Sequence, residues 1–245
     1  MSATAKFFGA LAFAPALAWA AEAGYPLDRA PIDPHDLVSL QAGARTFVNY
    51  CQGCHGAQHM RYNRLTDLGL SEAQIRDNLM FAADKVGEPM KTALGGKDGK
   101  DWFGVPPPDL SVIARSRGAD WLYTYLRTFY RDPKAASGWN NAVFENVGMP
   151  HALWMLQGER ALERAHGGGG EEPAAPGYKW TQLSPGAQSE VEYDATVRDL
   201  VNFLVYLGEP AAQARKRIGI AVLFVLGVVF VIAYALKREY WKDVH

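Results

Sequence analysis

The two cysteines of this 245-residue chain stand together in Cys51-Gln52-Gly53-Cys54-His55. Two thiols about one helical turn apart can add across the two vinyl groups of a porphyrin while the adjacent imidazole meets the iron from one side. That is the attachment chemistry of a c-type haem. A disulfide across two intervening residues is strained, a structural zinc site needs a second ligand pair, and a thioredoxin-like redox pair needs a βαβ setting. The spacing therefore predicts one covalent haem c, held by Cys51 and Cys54, with His55 on the iron.

The second axial ligand has to come from elsewhere in the chain. The candidates are Met60, Met80, Met90, Met149, Met155, His59 and His151. A thioether raises the potential, whereas an open position suits gas or peroxide chemistry. His59 and Met60 follow His55 too closely to reach the far face of the ring. Met149 sits in Gly148-Met149-Pro150, where glycine permits an unusual backbone and proline imposes an extended one, a good setting for presenting a side chain from a loop. Met149 is the expected ligand and His151 the fallback, with Met80 and Met155 read as core filler. Pro106-Pro107-Pro108-Asp109-Leu110-Ser111 is a stiff extended segment of the kind that can wall a flat cofactor, Pro108 included. Arg115 and Arg117 follow it; a guanidinium suits a haem propionate and suits plain solvent equally well.

The elements that must position these residues read as helices. Leu37, Leu40, Ala44 and Phe47 recur at helical spacing and lead into Cys51, with Asp36 or Asp33 available as a cap. Ser71-Glu72-Ala73-Gln74 is a capping box. Leu122, Tyr125, Leu126 and Phe129 mark a third helix. A fourth runs from about Glu190, carries Val197, Leu200, Val201, Leu204 and Leu207 on one face, and stops at Gly208-Glu209-Pro210. No run alternates as a strand does, and residues 95–104 and 166–177 read as long surface loops. The fold class expected is all-α with irregular loops.

The ends imply export and a membrane. Lys6, an apolar run to about Ala18, and Ala18-Trp19-Ala20 have the order of a secretory signal cleaved after Ala20. Residues 218–236 are apolar without a charge, about 28 Å as a helix, which matches a hydrocarbon core. Arg215-Lys216-Arg217 and Lys237-Arg238 flank this span almost equally, so the signal rather than the positive-inside rule orients it. Residues 21–213 are then the exported body, 218–236 the anchor and 237–245 a cytoplasmic tail. Residues 21–214 carry 18 Lys or Arg against 24 Asp or Glu, a net −6, which argues against nucleic acid and suits a basic partner.

The haem motif after an amphipathic helix, then Pro107-Pro108-Asp109-Leu110-Ser111 with a nearby arginine, then Gly148-Met149-Pro150, then Phe203-Leu204 through Glu209-Pro210 and Arg215-Lys216-Arg217 into a terminal span, resembles the cytochrome c1 family. The likeness runs from about Asp33 to Trp241, and the order of the motifs is more specific than any one of them. The resemblance implies a class I cytochrome c-like haem domain with one C-terminal transmembrane helix. It implies the haem subunit of a bacterial ubiquinol:cytochrome c oxidoreductase, respiratory or photosynthetic, with no catalytic residues of its own. Carried over, Cys51 and Cys54 hold haem c, His55 and Met149 ligate iron, and Arg117 faces a propionate. The implied partners are cytochrome b, the Rieske iron-sulfur protein, a soluble or tethered cytochrome c and the inner membrane, with the haem domain in the periplasm. Some members carry an additional disulfide; this chain has no spare cysteine, so its Met149 loop must be held by packing alone. The glycines 167–170 also depart from the family pattern. The alternatives are a membrane-anchored monohaem shuttle or oxidase subunit, and a haem sensor or peroxidase, which needs an exchangeable axial position.

Overall fold

The computed structural model describes residues 25–165 and 177–243; the expected signal at 1–20 and residues 166–176 lie outside them. In chain order the elements are α1 (Leu37–Thr46), a π-helical turn (Phe47–Cys51), β1 (Ala57–Arg61), a 3-10 turn (Tyr62–Leu68), α2 (Glu72–Asn78), β2 (Pro89–Met90), α3 (Gly96–Phe103), α4 (Ile113–Arg117), α5 (Ala119–Arg127), β3 (Phe129–Arg131), β4 (Trp139–Asn141), α6 (Trp154–Gln157), β5 (Gly158–Ala165), β6 (Gly177–Pro185), α7 (Glu190–Gly208) and α8 (Ala212–Tyr240).

Of the two acids available as a cap, Asp36 starts α1, its carboxylate accepting from Val38 N at 3.0 Å and Ser39 N at 3.1 Å. Leu40, Ala44 and Phe47 are buried along one face, whereas Leu37 is exposed. Capping boxes open α2 at Ser71 with Gln74 and α7 at Ser189 with Glu192, each satisfying two otherwise orphan amides. α1 and α7 cross in close contact. A Cβ on Gly43 would stand 2.0 Å from the Asp199 carbonyl oxygen and 2.7 Å from Phe203 Cβ, so only glycine lets the two backbones meet there. The Phe47 and Phe203 rings lie 5.7 Å apart beside that point. A polar lock closes it: Ser39 Oγ donates to Asp199 Oδ1 at 2.7 Å, and Asn202 Nδ2 donates to Asp33 O at 2.6 Å and Ser39 Oγ at 3.0 Å.

Residues 95–104 are not a surface loop: most of them form α3. Gly104 ends it in the left-handed region at φ 78°, and a Cβ on Gly99 would come within 2.6 Å of Pro107 Cδ. The glycines that suggest a loop are there for a C-terminal stop and a close approach to the proline run. The helical class holds with three antiparallel strand pairs added, β1·β2, β3·β4 and β5·β6. In β6 the residues Tyr178, Trp180 and Gln182 alternate with Lys179 and Thr181, too short and too polar an alternation to read as a strand. The tertiary contact is with Tyr25, whose ring sits 4.6 Å from that of Tyr178 and whose hydroxyl accepts from Trp180 Nε1 at 3.3 Å. α8 carries its apolar side chains exposed along its whole length, and Arg215 Nη1 pairs with Glu209 Oε1 at 2.7 Å where it leaves the body.

Gly43→Ala is expected to force α1 off α7 and to destabilise the haem domain by about 1–3 kcal/mol, measured as a lower denaturation midpoint of the detergent-solubilised protein.

Candidate haem site

Cys51 ends the widened turn, and its carbonyl accepts from Cys54 N at 3.1 Å and His55 N at 2.8 Å. Cys51, Cys54 and His55 are thereby folded into one tight turn. Both intervening residues are anchors. Gln52 points inward and donates from Nε2 to Tyr62 Oη at 2.6 Å and Lys91 O at 3.2 Å, while the Gly53 carbonyl accepts from Thr92 Oγ1 at 2.9 Å. Burial, with Cys54 adding to it, pushes the Cys51 thiol up to about 12, so the unattached group is a thiol rather than a thiolate.

The His55 ring is buried, with Nδ1 2.7 Å from the Pro108 carbonyl. A carbonyl only accepts, so Nδ1 carries the hydrogen and Nε2 keeps its lone pair for a metal. Burial holds the imidazole below its ordinary pKa, the Pro108 bond and the Asp109 charge only partly opposing it, which keeps the ring neutral. Cys54, His55, Pro108 and Met149 open on one cleft of about 100 Å³, walled otherwise by Tyr50, Phe103, Val105, Pro107, Gly148, Pro150 and Ala152. The donor set of two thiols, an imidazole with a free Nε2 and a thioether, within apolar walls, fits a covalently held haem.

Met149 is placed by a loop the sequence described only in part. The left-handed residue is Asn146, at φ 57°, and Gly148 serves a close approach instead, since a Cβ there would stand 3.0 Å from the Phe103 carbonyl oxygen. More than packing holds the loop: Asn140 Oδ1 accepts from Asn146 N at 2.9 Å, and Asn141 Oδ1 accepts from Val143 N and Phe144 N at 2.9 and 3.1 Å. Tyr125, which sequence reasoning gave only a helix-face role, donates from Oη to Met149 Sδ at 3.4 Å. Trp121 stacks on Tyr125 at 4.7 Å, and the Arg117 guanidinium lies 4.9 Å from the Trp121 ring centre and 5.7 Å from that of Phe144. Arg115 runs along Gly208, where a Cβ would meet its Cγ at 3.2 Å. Neither arginine is among the residues walling the cleft.

His151 belongs to the core. Its ring stacks on Phe129 at 4.8 Å, meets Trp139 edge-on at 5.1 Å, and places Nε2 2.8 Å from Gln157 Oε1. Burial drives its pKa down to about 3, Gln157 only partly opposing this and the Arg160 and Arg131 charges adding to it. Met60, Met80 and Met90 are buried in the core, whereas Met155, read as core filler, is exposed.

The cytochrome C1 family model matches residues 28–93 and 177–244. The chain is 49% identical over 238 residues to the protein named cytochrome c1 of Allochromatium vinosum, covering 96% of each chain. The chain belongs to the cytochrome c1 family. A relative from Nitrosomonas europaea named ammonia monooxygenase gamma subunit is 50% identical over 236 residues, again 96% of each chain. Cytochrome c1 of Rhodospirillum rubrum is 28% identical, with 86% of this chain and 83% of its own length covered. As a member of this family, the chain is a membrane-anchored haem c electron-transfer subunit of a quinol:cytochrome c oxidoreductase, carrying one covalently bound haem. The family match takes in Cys51 to His55, α7 and α8 but passes over residues 94–176, where Pro108, Arg117 and Met149 lie.

His151→Ala is expected to leave the low-spin haem spectrum unchanged while costing about 2–4 kcal/mol of stability through the cavity left beside Phe129. A changed iron spectrum at full stability would place His151 on the metal instead.

Proposed function

We propose that Cys51 and Cys54 hold the haem as thioethers, that His55 Nε2 and Met149 Sδ take the two axial positions, and that the subunit relays single electrons from a Rieske iron-sulfur protein to a soluble or tethered cytochrome c. The observation that carries this is that Cys54, His55 and Met149 meet on one apolar cleft, with Cys51 in the same tight turn and His55 Nδ1 already committed to Pro108. When bound, the haem supplies a reversible one-electron couple at its iron. The chain's part is placement and potential. With His55 and Met149 both on the iron, no position would be left for an exchangeable ligand, and the apolar walls would favour the less charged state of the centre. Tyr125 orients the thioether by donating to Met149 Sδ. Arg117 is the propionate donor in this reading, with Arg115 as the second.

The span sits within α8 and packs against cytochrome b, the haem domain faces the periplasm of a bacterial inner membrane, and the tail after Leu236 stays in the cytoplasm. The family match over α8 and the basic flanks of its apolar run support a single span, and the secretory order of residues 1–20 supports its orientation.

Met149→Leu is expected to keep the haem covalently attached, because attachment needs only the two cysteines, and to lower the reduction potential substantially; an unchanged potential and spectrum would refute the ligand assignment. Extraction in mild detergent is expected to bring down b-type haem and a Rieske centre with this c-type haem, and quinol should reduce it only while the iron-sulfur protein is present. Recovery alone would favour the shuttle, and recovery with a monooxygenase would favour the assembly named for the Nitrosomonas relative.

A further inference from the structure

Segment 106–111 is fastened to the residues after the haem motif more tightly than ligation of iron requires. His55 Nδ1 meets Pro108 O at 2.7 Å, Leu110 N donates to Gly56 O at 2.7 Å, Gln58 N donates to Asp109 Oδ2 at 2.8 Å and His59 N donates to Ser111 Oγ at 3.0 Å. Three consecutive prolines have no N–H to give, so the segment has no backbone donor of its own until Asp109. The Asp109 side chain anchors the segment as an acceptor instead. One carboxylate oxygen takes Gln58 N, and the other takes Ser111 N at 2.9 Å, so a single side chain closes a turn in its own segment and bridges to β1. Asp109 shares its peptide unit with the Pro108 carbonyl, and anchoring one end of a planar peptide restricts the direction of the oxygen at the other. Gly56 leaves the space this needs: a Cβ there would stand 3.1 Å from Asp109 Oδ2.

We infer that Asp109 is a positioning residue for His55, setting through the Pro108 carbonyl both the rotation of the imidazole about its bond to iron and the strength of its Nδ1–H hydrogen bond. The inference deepens the proposed site and rests on His55 being an axial ligand. A firm acceptor at Nδ1 makes the imidazole a stronger electron donor, which favours oxidised iron. The Asp109 carboxylate, a negative charge on the residue that follows Pro108, acts in the same direction by attracting the extra positive charge of the oxidised iron.

The test uses the full-length, haem-loaded protein. Asp109→Ala is expected to keep one covalent haem and low-spin iron, to shift the largest g-value in the electron paramagnetic resonance spectrum of the oxidised form, and to raise the potential, changing the equilibrium with a fixed mediator by on the order of tenfold. Asp109→Asn retains one acceptor oxygen, turns an NH2 toward the other amide and loses the charge, so it should move the potential and the g-value in the same direction as Asp109→Ala, by less. Gly56→Ala keeps the charge and crowds the carboxylate, so it should move the g-value. An Asp109→Ala protein with parental g-value and potential, differing only in a lower unfolding temperature, makes Asp109 a structural staple and overturns the inference. Where Asp109→Ala does not fold, an unmoved g-value in Gly56→Ala overturns it as well. A His55→Ala control distinguishes the two failures: a low-spin spectrum that survives it removes the ligand assignment, whereas its loss leaves that assignment standing whatever Asp109 does.

Discussion

At Gly43 the first and last helices of the haem domain come so close that one added methyl would collide with the Asp199 carbonyl, and the haem motif begins eight residues further along the same rod. The haem motif inherits its position from that contact. α7 is the long, well-capped member of the pair, so its burial of Val197, Leu200 and Phe203 fixes where α1 lies. α1 and the widened turn then fix Cys51, whose carbonyl gathers Cys54 and His55. A change at Gly43 is felt at the iron because there is no loop between them to absorb it.

The elements that announced themselves in the sequence were those whose signal is local. The Ser71 box, a cap at Asp36 or Asp33 and the apolar stripe of α7 are written within a few residues and were legible there, whereas the Ser189 box was passed over. The haem motif is local too, and so was legible. What escaped was decided at a distance. α3 is hidden by glycines whose purpose is visible only once Pro107 lies against Gly99. β5 and β6 need each other and Tyr25, far away in the chain, to have a face to bury. Tyr125 shows an ordinary helical periodicity, and only the fold shows its hydroxyl against Met149 Sδ. The prolines before Asp109 indicate stiffness, but nothing in their spacing says that the His55 ring is what they hold.

The Met149 loop shows how a chain without spare cysteines secures a long excursion. Two adjacent asparagines, Asn140 and Asn141, take over the backbone amides of the turn, and the neutral ring of His151 fills the space below between Phe129 and Trp139. Buried amide side chains that satisfy loop N–H groups stabilise the folded arrangement directly, whereas a disulfide acts largely by restricting the unfolded chain. The cost is sensitivity: each asparagine serves more than one amide at once, so removing it takes several hydrogen bonds from the loop together.

The cleft itself sets a further property. Its walls are Tyr50, Phe103, Val105, two prolines, Gly148 and Pro150, and the one imidazole on it is already tied at Nδ1. Few permanent dipoles there are free to turn, and the proline run cannot swing an amide N–H toward a new charge. When the charge at the centre changes by one unit, little of the surrounding protein has to move in response, because its polar groups are already oriented. Stiff, apolar walls therefore give this site a small reorganisation energy, and with it rapid exchange of electrons in either direction.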